Sequence, residues 1–212
     1  MRKVIVCVAF AIAFGAAPAI AAPRVVSFIG DSTTSPMYSP PGFPLLVGKL
    51  LGIKIHNLAV KYPPSYSMRQ ALQEELPHLP ADTTDAVLYL GVDDLRMLAR
   101  DEETLASVEA ANAEIVAALR ARKVRIYELT LRDYTQDPLF VPQSYDIPTM
   151  PRIGRFVNEL NAYFRATPGV SIVDAHAWDD VYAGKWSTDG IHCNAESLPR
   201  FAAHVAQALA RS

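Results

Sequence analysis

Hydrophobic positions along this chain alternate between two periods. Residues 24–29 (RVVSFI) form a short run rich in β-branched side chains that stops at Gly30, the pattern of a buried strand. Four more runs read the same way: 53–58, 85–90 (DAVLYL, stopped by Gly91), 124–129 and 170–173. Helical spacing separates them. Residues 43–51 form a short helix candidate with Pro40, Pro41 and Pro44 around its start, and Ser67 is placed to cap a helix over 68–76. The clearest helix carries Leu105, Val108, Ala111, Ile115 and Leu119 on one face and Glu102, Glu103, Glu109 and Glu114 on the other. Ile153, Phe156, Leu160 and Phe164 mark a further helix that Pro168-Gly169 ends, and residues 198–209 form the closing one. Residues 132–150, with Pro138, Pro142 and Pro148, are the one long irregular loop.

Five short apolar strands separated by helices predict parallel pairing through right-handed crossovers. The expected fold is a three-layer α/β/α domain over residues 22–212, built on a five-stranded parallel sheet. In such a sheet ligands bind outside the carboxyl ends of the strands. Four polar segments fall there: Gly30-Asp31-Ser32, Asn57-Leu58-Ala59, Gly91-Val92-Asp93-Asp94, and Asp189-Gly190-Ile191-His192 between the last strand and the last helix.

Composition narrows the function classes. With 212 residues, 50% of them hydrophobic, the chain can bury a core without disulfides or metal. A net charge of −2 with no basic run argues against a nucleic-acid partner. Residues 1–21 read as a signal peptide: Arg2 and Lys3, an apolar stretch from Val4 to Gly15, then Ala19-Ile20-Ala21 as the small-x-small cleavage site. The expectation is export, to the periplasm or beyond the cell, with no membrane-spanning segment after cleavage. Cys7 leaves with the signal, so Cys193 stands alone and forms no intramolecular disulfide.

Residue by residue, two roles are open at each candidate. Ser32, just past a strand and a glycine, is either a nucleophile projecting into the crevice or a helix-capping hydroxyl. Asp189 is either the carboxylate that orients His192 or a turn residue before Gly190. His56, His78 and His204 read as structural or surface residues, and His176 lies where the last strand exits. Nothing has the ligand spacing of a metal site, so neither metal nor cofactor is expected. A carboxylate-rich phosphoesterase centre built from Asp31, Asp93, Asp94, Asp189 and His192 explains fewer residues.

Gly-Asp-Ser after the first strand and Asp-x-x-His before the last helix, in this order on an alternating chain, resemble the SGNH (GDSL-type) hydrolases. The resemblance runs from Val25 to the final helix. It implies a flavodoxin-like sheet and a serine esterase acting on acyl or acetyl esters. Ser32 would be the nucleophile, His192 the base and Asp189 its partner, with an oxyanion hole at Ser32, Ala59 and Asp93. The last two depart from the family pattern, which has glycine and asparagine there. An ionised carboxylate accepts hydrogen bonds and cannot donate one, so Asp93 is a serious change. Asp94 matches the acid that follows the asparagine, in a structural role. The substrate is expected to be a small-molecule or glycan ester, with Tyr62, Tyr66, Met68 and the 132–150 loop as pocket walls. Two other readings use the same residues: a weak or inactive relative that binds a glycan or an exported protein, and a polysaccharide O-acetyltransferase.

Overall fold

The structure is a computed structural model that describes residues 23–59, 67–137 and 150–211. The expected signal segment, Tyr62, Tyr66 and most of the 132–150 loop lie outside the described residues. Among the described residues five strands form, β1 (Val25–Gly30), β2 (Lys54–Asn57), β3 (Asp85–Tyr89), β4 (Arg125–Leu129) and β5 (Ser171–Val173). They lie in the order β2-β1-β3-β4-β5 with every neighbouring pair parallel. The chain steps from β1 outward to β2 and then back across to β3, so a crevice opens between the carboxyl ends of β1 and β3.

The helices are α1 (Phe43–Leu51), α2 (Met68–Gln70), α3 (Val92–Ala99), α4 (Leu105–Ala121), α5 (Met150–Ala166), α6 (Asp179–Tyr182) and α7 (Ser197–Ala210). They flank the sheet on both faces. Phe28 of β1 and Tyr89 of β3 meet Phe43 of α1 and Phe201 of α7, with ring centroids 4.8–6.2 Å apart. On the opposite face α4 turns its predicted stripe inward, burying Val108, Ala111, Ile115 and Leu119. No helix among the described residues is long and apolar enough to cross a membrane.

Two short helices, α3 and α6, escape the sequence pattern. Eight residues and four hold too few turns for periodicity to register, although Asp93 and Asp94 just after Gly91 are acids in a first turn, as a helix start favours. The expected 68–76 helix starts as read: Ser67 Oγ accepts from Gln70 N–H and Gln70 Oε1 accepts from Ser67 N–H, a reciprocal cap. It then widens into a π turn over Ala71–Glu75. Glu75 there is buried, and its Oε2 accepts the N–H of Gly30 at 3.1 Å. Gly30 has to be glycine: an added Cβ would stand 2.1 Å from Thr34 Oγ1 and 2.9 Å from the carbonyl of Tyr89. Gly91 takes φ +120°, where its Cβ would meet Leu131 at 2.9 Å.

Glu128 of β4 is buried against α4, where Asn112 Nδ2 donates to its Oε1 at 2.5 Å. Burial pushes its carboxyl up to about 7, with the Asn112 hydrogen bond opposing. Because the folded value lies above the unfolded one, the stability it contributes is complete below about pH 4 and is lost as pH rises through 7. Glu128→Gln keeps the shape and removes the charge. It should leave the melting temperature unchanged near pH 5 and raise it at pH 8 by roughly 5–10 °C, the equivalent of about 3 kcal/mol. Equal melting curves for the two proteins at pH 8 would show that Glu128 carries no such load.

Candidate active site

Ser32 sits in the turn that follows β1. The N–H groups of Thr34 and Ser35 donate back to the Asp31 carbonyl at 3.0 and 3.2 Å, which curls the chain sharply. The Asp31 side chain fixes this turn to the next element. Its Oδ1 accepts from Thr33 N–H at 2.9 Å and from the Thr33 hydroxyl at 2.6 Å, while Oδ2 accepts from Val92 N–H at the start of α3, 3.3 Å away.

From the far end of the chain, the loop before α7 delivers the two remaining groups. Ser32 Oγ lies 2.9 Å from His192 Nε2, and His192 Nδ1 lies 2.6 Å from Asp189 Oδ2. The other Asp189 oxygen accepts from the N–H groups of Ile191 and His192 at 2.9 and 2.8 Å and from the Ser187 hydroxyl at 2.9 Å. Asp189 is therefore both a turn former and the partner of the ring, so the two roles left open in the sequence coincide. The Asn194 carboxamide oxygen then accepts from Glu196 and Ser197 N–H at 2.9 and 3.0 Å, launching α7.

Electrostatics set the proton positions. Burial raises the Asp189 carboxyl, but hydrogen bonds from the His192 ring and from the His192 and Ile191 main chain outweigh it and hold the group well below the usual carboxylate range. An ionised Asp189 can only accept, so Nδ1 carries the hydrogen and Nε2 presents its lone pair to the Ser32 hydroxyl. The result is a continuous path for one proton from Ser32 to the imidazole, with a fixed anion behind it.

The three expected oxyanion positions fare differently. Ser32 N–H donates to no acceptor among the described residues. Ala59 N–H, by contrast, is already donated to Asn57 Oδ1 at 3.1 Å, while Asn57 Nδ2 donates to the Thr34 carbonyl at 3.1 Å. Asp93, in the first turn of α3, has Oδ1 3.4 Å from Arg96 Nη2, and its Oδ2 is buried with no partner among the described residues. Burial raises the Asp93 carboxyl, against the pull of Arg96 and His192. Asp31 is pushed up to about 7 by burial first and then by the neighbouring Asp93 charge. Asp94 is wholly buried and accepts Met68 N–H with both oxygens, at 3.2 and 3.1 Å, tying α2 to α3.

One further expectation needs correction. Met68 is no pocket wall: it is fully buried in the hydrophobic core, because the Asp94 bond draws the start of α2 inward. His176 bonds the Leu131 carbonyl through Nδ1 at 3.0 Å, and His56 and His204 pair with Asp82 and Asp180. The Cys193 thiol is pushed up to about 11 by burial, so it is a poor nucleophile. Sequence reasoning missed two groups at the site. Arg96 pairs with Asp93 at i,i+3 spacing, which a predicted α3 would have revealed. Tyr38 stacks on His192, with ring centroids 4.4 Å apart, and no local signal announces that contact.

A Ser–His–Asp hydrogen-bond chain thus stands at the carboxyl rim of a doubly wound parallel sheet. Residues 28–197 match the sequence profile of the GDSL-like Lipase/Acylhydrolase family, and the chain belongs to that family. No curated protein sequence matches it. Among solved structures it is similar to a GDSL-like lipase from Bacteroides thetaiotaomicron, at 15% identity over 89% of this chain and 88% of that one, TM-score 0.64. An acetyl xylan esterase gives 15% identity over 87% and 99%, TM-score 0.65. The psychrotrophic esterase of a Pseudoalteromonas species gives 12% over 89% and 97%, TM-score 0.62. At such identities the likeness establishes a common fold.

The carboxyl pair beside Ser32 gives a direct check. Followed by carbon-13 NMR, the Asp31 carboxyl should titrate near pH 7. Asp93→Asn removes the adjacent negative charge and should move that midpoint downward. An unmoved midpoint would mean the two groups do not interact.

Proposed function

We propose that this protein is an exported serine esterase that cleaves acyl or acetyl esters through an acyl-enzyme. The observation that carries the reading is the unbroken contact from Ser32 Oγ through His192 to Asp189, at 2.9 and 2.6 Å. His192 Nε2 takes the Ser32 proton as Oγ attacks the ester carbonyl carbon. The ester C–O bond then breaks, and His192 returns the proton to the departing alcohol. Water, activated by the same imidazole, attacks the acyl-enzyme and releases the acid. Asp189 stays ionised throughout and steadies the imidazolium. Export rests on residues 1–21 and their small-x-small site. The likeness to an acetyl xylan esterase supports acetylated glycans as one substrate class.

Asp93 decides how fast this centre works. In the oxyanion hole that the family resemblance implies, a neutral Asp93 would bring a hydroxyl donor and an ionised one a charge of the wrong sign. Burial favours the neutral form, as apolar surroundings do for any carboxylic acid. The Ala59 N–H spent on Asn57 makes this donor matter more. These same two departures favour a second reading, a catalytically weak relative that binds a glycan without turning it over.

Hydrolysis of a chromogenic acetyl ester separates the two. Ser32→Ala should lower kcat by about 10⁴ or more, because the nucleophile and its base act as one unit. Equal rates for wild type and Ser32→Ala would remove the esterase reading. Asp93→Asn keeps the shape and supplies a neutral donor at every pH. It should raise kcat roughly tenfold where the wild-type carboxyl is ionised, a fraction of what one such donor contributes elsewhere, with the advantage shrinking as pH falls and that acid protonates. A variant no faster than wild type from about pH 5 to 9 would show that Asp93 is not a hindered oxyanion donor.

A further inference from the structure

We propose that Tyr38 is a positioning residue for His192: its ring clamps the face of the imidazole and keeps Nε2 aimed at Ser32. This rests on the serine-esterase reading. The two rings are 4.4 Å apart at their centroids and lie within 12° of parallel. The grip has a second point, because the next residue, Ser39, donates its hydroxyl to the carbonyl of Cys193 at 2.7 Å. Two consecutive residues of one loop thus hold two consecutive residues of the other.

The nucleophile is on the same segment as the clamp. Within residues 32–39, Ser32 meets the imidazole edge at Nε2 and Tyr38 covers its face. Ser39 is buried, as an anchor should be, and the Gly42 N–H donates to its carbonyl at 2.6 Å. Tyr38 itself is 48% exposed. Core packing does not account for an aromatic ring placed so openly; contact with the histidine does. The imidazole has one edge on Asp189 and one on Ser32, and those in-plane bonds are weakest against tilting of the ring out of its plane. A parallel ring opposes it.

The clamp also suits the charge His192 acquires. As it takes the Ser32 proton it becomes a cation lying on an aromatic face, a favourable arrangement. The charged groups around it are Asp189 on Nδ1 and Asp93 from α3, with Arg96 paired to Asp93. Tyr38 adds a neutral face to this set, so its removal alters orientation without altering the count of charges.

The experiment uses the full chain and two readouts: turnover of a chromogenic acetyl ester, and the rate at which a small p-nitrophenyl alkylphosphonate labels Ser32, releasing p-nitrophenolate. Tyr38→Ala should lower kcat about tenfold with KM nearly unchanged and slow the labelling by a similar factor, well inside the hundredfold that a misplacement of about 1 Å costs. Tyr38→Phe and Tyr38→Trp, which keep a ring, should stay within about twofold of wild type. The melting temperature should hold within a few degrees, since the side chain is half in water. Ser39→Ala, which frees the anchor, should show a weaker form of the same kcat loss. A Tyr38→Ala protein with wild-type kcat and labelling rate overturns the proposal. So does a rise in KM alone, which would make Tyr38 a substrate contact, or a Phe variant as slow as the Ala variant, which would assign the effect to the hydroxyl. These outcomes leave the esterase reading standing provided Ser32→Ala abolishes labelling; a wild type that is never labelled at Ser32 removes both.

Discussion

The buried carboxyl of Asp31 joins the two strand ends between which the site is built. One oxygen accepts from Thr33 and shapes the Ser32 turn; the other accepts from Val92 and fixes the start of α3. Two neighbouring acids extend the same device. Glu75 takes the N–H of Gly30, and Asp94 takes the N–H of Met68 with both oxygens. Main-chain donors at strand ends and helix starts have no partner within their own element, and each left buried and unpaired costs about 1–3 kcal/mol. Carboxyls reaching across from other elements satisfy them, and in doing so hold the β1, β3 and α2 segments in fixed relation.

That solution has an electrostatic consequence. Burial raises the carboxyls of Asp31, Asp93 and Asp94, and the neighbouring Asp93 charge adds to the rise at Asp31 and Asp94. Asp189, only one loop away, is held low by hydrogen bonds that favour its anion. Environments that push carboxyls of one site apart in this way assign them different tasks. The low one holds the histidine ring at Nδ1, and Asp31 and Asp94 among the raised ones anchor backbone. At Asp93 opposing influences meet: burial favours the acid, whereas Arg96, His192 and the positive end of α3 favour the anion.

The histidine is held by contacts of three kinds, a carboxylate at one nitrogen, a hydroxyl at the other and an aromatic ring on its face. The last comes from the loop that carries Ser32. A site assembled from residues 160 positions apart in the chain is thereby tied at both ends of a single eight-residue stretch, 32–39. The same packing buries Cys193 and takes its thiol out of the chemistry.

The sequence determined the alternation of strands and helices, hence the parallel sheet, and the placement of Ser32, Asp189 and His192 at its carboxyl rim. Those features are local: period, stop residues and short motifs are written in neighbouring positions. The α3 helix was legible in principle, from Gly91 and two acids, but eight residues are too few for a hydrophobic stripe to show. What only the tertiary structure decided is the company each side chain keeps. Met68 looked like a pocket wall and lies in the core, Ala59 looked like a donor and is engaged by Asn57, and Tyr38, which carries no sequence signal, lies on the histidine. Each outcome depends on a contact between residues whose relation is fixed by folding of the whole chain. Burial, which sets the proton affinities of Asp31 and Asp93, is likewise a property of all the elements packed around them, and no stretch of sequence contains it.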